Sequence, residues 1–220
     1  MPNERTPDLR LFFDILQTLD RINAPYMIIG AFAAAIYGNT RTTYDIDIVV
    51  SLNEQQILAL AATYPPPRYY ADPEQMRNFI RLGISFNIID GKMGDKADLS
   101  PLTRESRYRW AFQDRVRQTI DLPDGTPFEA WCARPEDVII GKLLAWAEGR
   151  SRKHEIDIYG MMLAHYTRVL LGQDAQFDEG YVMAQAKKLG EEVLEFWASI
   201  NEAAQQEVRR DRPPDAPSAS

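Results

Sequence analysis

Apolar residues along this chain recur in two periods, one helical and one strand-like, and their run lengths and flanking residues separate the two. Leu11, Phe12, Ile15, Leu16, Leu19 and Ile22 fall at helical spacing and predict an amphipathic helix over 9–22, ended by Asn23-Ala24-Pro25. Residues 26–29 read as an apolar strand that enters Gly30 and a short apolar helix; a second apolar strand follows the Arg41-Thr42-Thr43 turn. Asn53 is placed to cap a helix reaching residue 62, and Pro65-Pro66-Pro67 predicts an extended connection. Asp72-Pro73-Glu74 opens a further helix to residue 82. Residues 84–89 predict a strand, 90–95 a turn containing Gly91 and Gly94, 96–99 another strand, and 103–112 a helix. Segments 115–120 and 126–131 fit paired strands across a turn with Pro123 and Asp124-Gly125. Beyond residue 134 only helical patterns remain, over 135–147, 153–171, 177–189 and 191–206.

This pattern predicts an α/β (α+β) chain: a small mixed sheet flanked by helices over 1–133, a helical C-terminal part over 134–210, and a disordered tail over 211–220. A hydrophobic content of 45% suits a globular protein. The net charge of −7 argues against a general nucleic-acid coat, while leaving room for a locally basic groove. The one cysteine, Cys132, excludes an intrachain disulfide framework and a Cys-rich zinc site. The N-terminus is charged and lacks an apolar signal core, and the apolar run 26–37 is too short to span a bilayer. A cytoplasmic protein without a membrane partner is the expectation.

The second strand carries Asp45 and Asp47. Side chains alternate faces along a strand, so these carboxylates point the same way. Two such groups on an otherwise apolar strand repel and are costly to desolvate, and a divalent cation compensates both effects. Oxygen ligands with room for water and phosphate suit Mg²⁺, or Mn²⁺ in its place.

The arrangement strand–Gly30–helix–Arg41-Thr42-Thr43–strand with Asp45-Ile46-Asp47 resembles the nucleotidyltransferase superfamily whose core is shared with polymerase β. More narrowly, Arg41 to Ile48 is similar to the AbiEii-type nucleotidyltransferases, which include toxins of bacterial toxin–antitoxin pairs. The resemblance continues in Lys96-Ala97-Asp98-Leu99, in the Pro135-Glu136-Asp137 helix with Lys142, and in Lys153-His154-Glu155-Ile156-Asp157. It implies a nucleotidyltransferase sheet and a metal-dependent transfer of a nucleoside monophosphate from an NTP substrate, ATP among them. The acceptor would be a tRNA or other RNA end, or a protein hydroxyl, and an antitoxin partner would be possible. A small-molecule acceptor such as an aminoglycoside is the second enzymatic reading, and an inactive binding or regulatory module the non-enzymatic one.

On that resemblance Asp45, Asp47 and Asp98 are the metal ligands, with Asp98 alternatively a general base. Asp98 is chosen over Asp90 and Asp95 because those two fall in the Gly-rich turn. Gly30 and Ala31 open a helix whose backbone N–H groups suit phosphate, although the family commonly has Gly-Ser or Gly-Gly there. Arg41 either approaches the carboxylates or the triphosphate, or pairs with a nearby acid, and Thr42 offers a hydroxyl. Lys142 faces the triphosphate in the family, and Asp157 either orients it or assists acid–base chemistry.

Overall fold

A computed structural model of the chain describes residues 9–41, 46–103, 108–122, 124–173 and 176–210. The chain forms two compact units, one of Met1–Phe32 with Thr43–Ala133 and one of Ala33–Thr42 with Arg134–Ser220. A division read from composition is contiguous; in the structure the segment Ala33–Thr42 belongs with the C-terminal helices.

The first unit holds a seven-stranded mixed sheet. Its strands are β1 (Tyr26–Ile29), β2 (Ile46–Val50), β3 (Tyr69–Tyr70), β4 (Phe86–Asp90), β5 (Asp95–Pro101), β6 (Val116–Asp121) and β7 (Pro127–Cys132), in the order β3-β4-β5-β2-β1-β7-β6. The pairs β2–β5 and β1–β7 are parallel, whereas β1–β2, β3–β4, β4–β5 and β6–β7 are antiparallel. One face of the sheet is covered over its centre: Ile46, Ile48, Phe86, Ile88, Ala97, Leu99, Ala130 and Cys132 are buried. Helices α1 (Arg10–Arg21), α3 (Glu54–Thr63) and α4 (Pro73–Leu82) pack with one another and against β4 and β5. Residues of α1 at helical spacing, among them Phe12, Ile15, Leu16 and Leu19, supply much of this core.

The alternate positions give the second face a different character. Asn87, Lys96, Arg117, Thr119 and Glu129 are exposed there, and Asp47, Asp98 and Trp131 are half-buried, while Met27 and Val49 close its centre. Strand pleating alone sorts these sets, because adjacent residues point to opposite faces.

Local chemistry sets the helix ends. Asn53 and Gln56 form a reciprocal capping box at the start of α3, and Asp72 accepts the Gln75 N–H at 2.7 Å before Pro73 opens α4. The proline run departs from the expected extended connection: residues 66–68 form a turn, and β3, which has too few residues to show a period, follows it. The strand expected over 84–89 lies at Phe86–Asp90, so Asp90 ends β4 and Asp95 begins β5 rather than both lying in the turn. Helix α5 spans Arg109–Gln113, later than the expected 103–112, of which 104–107 are outside the described residues.

In the second unit α6 (Pro135–Gly149), α7 (Arg152–Leu170), α8 (Glu179–Leu189) and α9 (Glu191–Arg210) pack together. The acidic first turn of α6 is used locally. Asp137 pairs with Arg134 at 2.9 Å, and Glu136 accepts the Asp178 N–H at 2.8 Å, which fixes the approach to α8. Helix α2 (Gly30–Ile36) begins in the first unit and ends in the second. Among the described residues no helix is long and apolar enough to cross a membrane.

Ile48→Ala, on the covered face, is expected to cost about 3 kcal/mol of stability through transfer and cavity terms. Thr119→Ala, on the other face, should cost no more than about 1 kcal/mol, the net worth of its hydrogen bond. Urea unfolding of both variants checks the two-faced sheet.

Candidate active site

In the first unit, the parallel register sets Asp47 of β2 directly beside Asp98 of β5. Neighbouring strands are about 4.8 Å apart, so two carboxylates share one face at one strand spacing. Asp98 is held from both sides. Lys96 Nζ donates to its Oδ2 at 3.3 Å, and the Asn87 amide, with its nitrogen turned inward, donates to Oδ1.

Asp47 also lies against Gly30. That glycine has φ +72°, and a Cβ built on it would collide with Asp47 Oδ2. Only a residue without a Cβ lets the backbone turn from β1 into α2 at this distance from the carboxylate. Ala31 follows as the second residue of α2. Asp45 and Thr42 lie outside the described residues. Among the described residues no group of three His, Cys, Asp or Glu side chains could hold a metal ion. The Asp47–Asp98 pair is nonetheless a hard-oxygen donor set of the kind that suits Mg²⁺.

In the second unit the centre is Asp157 of α7, which is fully buried. Lys142 of α6 donates to its Oδ2 at 2.6 Å, Arg41 donates through Nε at 2.6 Å and Nη2 at 3.1 Å, and Asn39 Nδ2 donates to Oδ1 at 2.8 Å. Burial pushes this carboxyl up, but hydrogen bonds from Arg41 and Lys142, together with their charges, outweigh it and leave the group below its ordinary value. Lys142 is itself buried, whereas Arg41 is about one third exposed (32%). Both cations are therefore aimed by one carboxylate. His154, on the same helix, has its titration lowered by burial and then by the charges of Lys142 and Lys153, and its buried Nδ1 has no hydrogen-bond partner among the described residues.

Of the two places considered for Arg41, the ion pair with an acid is the one observed, and the acid is Asp157. Asp90 takes a structural part. It is buried, paired with Arg68 at 2.8 Å, and accepts the Lys92 and Met93 N–H groups. Asn39 is a member of the second cluster that periodicity does not reveal. It follows Gly38 and reads as a turn residue, yet it is buried and bonded to a residue 118 positions away. Gly160 makes room for it, because a Cβ there would sit 2.6 Å from Asn39 Oδ1. A glycine about one turn after Asp157 on this helix is the sequence trace of this packing.

No family model matches the chain, and no curated protein matches it. Solved structures offer weak likenesses. An antigenic nucleotidyltransferase-like protein from Paracoccidioides brasiliensis is 20% identical over 68% of this chain and 72% of its own, with a TM-score of 0.45. JHP933 from Helicobacter pylori is 12% identical over 91% of each chain, with a TM-score of 0.46. ANT(2'')-Ia, solved in complex with adenylyl-2''-tobramycin, is 16% identical over 90% of this chain and 99% of its own, with a TM-score of 0.41. At such identities and scores, function has to be argued from the side chains themselves.

Gly30→Ala should destabilise the chain by at least about 1 kcal/mol, from positive-φ strain alone. Displacement of Asp47 adds to that, and thermal unfolding measures the sum. Asp157→Asn should cost about 3 kcal/mol at neutral pH, since it removes the charged partner of a buried ion pair. The depressed carboxyl stabilises the folded state above its ordinary value of 3.8 and loses that contribution as pH falls below it. Denaturation of wild type and variant across pH should therefore show their difference shrinking only in acid.

Proposed function

We propose that this chain is a divalent-cation-dependent nucleotidyltransferase of the AbiEii type, moving a nucleoside monophosphate from an NTP to the end of an RNA strand. The observation that carries this reading is the in-register placement of Asp47 and Asp98 beside Gly30, whose missing Cβ lets the start of a helix lie against the Asp47 carboxylate. A purely structural sheet has no need of two adjacent carboxylates on a half-open face, where their mutual repulsion costs stability.

In this reading Asp47 and Asp98 would hold the cation, with Asp45, two positions before Asp47 in the sequence, as the third ligand the resemblance implies. Once bound, it would neutralise triphosphate charge and favour ionisation of the attacking hydroxyl. The remaining work falls to the protein. The acceptor oxygen bonds to the α-phosphorus, the bond from that phosphorus to the bridging oxygen breaks, and pyrophosphate leaves with the electron pair. Asp98, already held by Lys96 and Asn87, is the carboxylate assigned to take the hydroxyl proton. Gly30 and Ala31 supply backbone to the phosphates. The resemblance assigns phosphate binding to Lys142, with Arg41 as its more exposed companion in the second unit. Asp157 is their positioning residue: its hydrogen bonds hold both side chains in one rotamer before substrate arrives, which lowers the ordering cost of binding.

Incubation with each α-³²P-labelled NTP, Mg²⁺ and total RNA should label an RNA species with wild type. Asp47→Asn combined with Asp98→Asn should abolish the label, while thermal unfolding shows a fold as stable as wild type or stabler, because a charge clash is relieved. Undiminished labelling by the double variant would overturn the assignment of these carboxylates. Label entering only protein or a small molecule would overturn the RNA acceptor.

A further inference from the structure

The face of the sheet that bears Asp47 carries a second cluster toward the β6 edge. Arg117 lies opposite Trp131 in the β6–β7 register, with its guanidinium 4.5 Å from the ring centroid. Arg115 reaches the same ring at 4.8 Å and the Phe112 ring at 4.3 Å. The registers Asp47↔Ile29, Ile28↔Cys132 and Arg117↔Trp131 put Asp47, Trp131 and Arg117 on one face. Three strand spacings, about 14 Å, separate β2 from β6.

Two like charges crowd one aromatic ring here, and only one of them is compensated. Arg117 pairs with Asp20 at 3.2 Å. Among the described residues Arg115 has no carboxylate partner; its contacts are the Phe112 carbonyl at 2.5 Å and the two rings, and its Nε is buried without a hydrogen-bond partner. Burial, and after it the Arg117 charge, lowers the titration of Arg115. A cross-strand Arg–Trp pair stabilises a hairpin by itself, but a second guanidinium beside it opposes that gain unless an anion joins them.

We infer that Arg115, Trp131 and Arg117 form a platform for single-stranded RNA, engaging the strand a few nucleotides from the end that reacts. Each part has a match in that ligand. A planar guanidinium forks onto a phosphate, and a half-buried indole offers a stacking surface to a base. The Asp20 carboxylate, paired with Arg117, and the Glu129 carboxylate, which accepts from Thr119 on the same face, are acceptors suited to a ribose 2′-hydroxyl, the group that separates RNA from DNA. The same acids make the cluster a poor track for a long duplex, in keeping with the net charge of −7. An acidic peptide would use the arginines and leave the indole idle.

The inference rests on the nucleotidyl-transfer reading only in making the bound strand the acceptor. Its test therefore omits NTP and divalent cation. Fluorescence anisotropy of a short labelled single-stranded RNA should show binding by the full chain, weaker binding of the same sequence as DNA, and quenching of tryptophan emission. Trp131→Ala should lower RNA affinity about tenfold, as loss of one base stack does. Arg115→Gln should lower it and reduce the salt slope by about one, as loss of one phosphate contact does. Arg115→Lys and Trp131→Phe, which disturb the hairpin least, should give intermediate losses at wild-type melting temperature. RNA binding unaffected by these substitutions, absent from wild type, or equalled by DNA overturns the platform. Binding that depends on the platform in a chain that labels no RNA leaves the platform standing and removes the transfer reading.

Discussion

A carboxylate withdrawn from water must find its charge and its lone pairs satisfied within the protein, and Asp157 does so with three donor residues from two separate stretches of chain. Much of the second unit follows from that requirement. Lys142 and Arg41 are held in one orientation each, and Asn39 is drawn in beside them. The segment Ala33–Thr42 is thereby bound to α6 and α7 although it belongs to the N-terminal part of the sequence. Gly38 and Gly160 are the steric counterpart. A Cβ on Gly38 would run into Ala164, and one on Gly160 into Asn39, so the segment can lie against α7 only where side chains are missing. Breaking one donor contact leaves the others serving a charge they balance less well, which is why members of such a cluster act as a unit.

The first unit is ordered by register instead. Once β2 and β5 pair in parallel with Asp47 beside Asp98, every alternate residue along the sheet is assigned to the covered or the half-open face. A slip of β2 by one residue would bury Asp47 and expose Ile46 and Ile48, so the apolar core itself holds Asp47 beside Asp98 on the half-open face.

Elements with a clear period and a local cap were readable in the sequence: α1 from its apolar stripe, α3 and α4 from Asn53 and Asp72, and the β6–β7 hairpin from its Pro and Asp-Gly turn. The choice of Asp98 over Asp90 and Asp95 rested on placing those two in the Gly-rich turn, whereas Asp90 ends β4 and Asp95 begins β5. What sequence reading missed is non-local or too short to carry a period. Strand β3 has two residues, and the turn at 66–68 depends on where Tyr69 must pair. The partner of Asn39 lies 118 positions away, in a helix whose one trace of the contact is Gly160. Arg117 and Trp131 look like ordinary hairpin residues until the register brings their side chains together, with Arg115 from just before β6 reaching the same ring.

Cys132, the one cysteine of the chain, sits fully buried at the end of β7 beside β1. A thiol reacts through its accessible thiolate, so in the folded protein it is shielded from alkylating reagents. A cysteine introduced at an exposed position can thus carry a single fluorophore or spin label without first removing the native one. The rate at which Cys132 itself becomes modified then serves as a clock for the opening of β7 from the centre of the sheet, one strand away from the Gly30 turn.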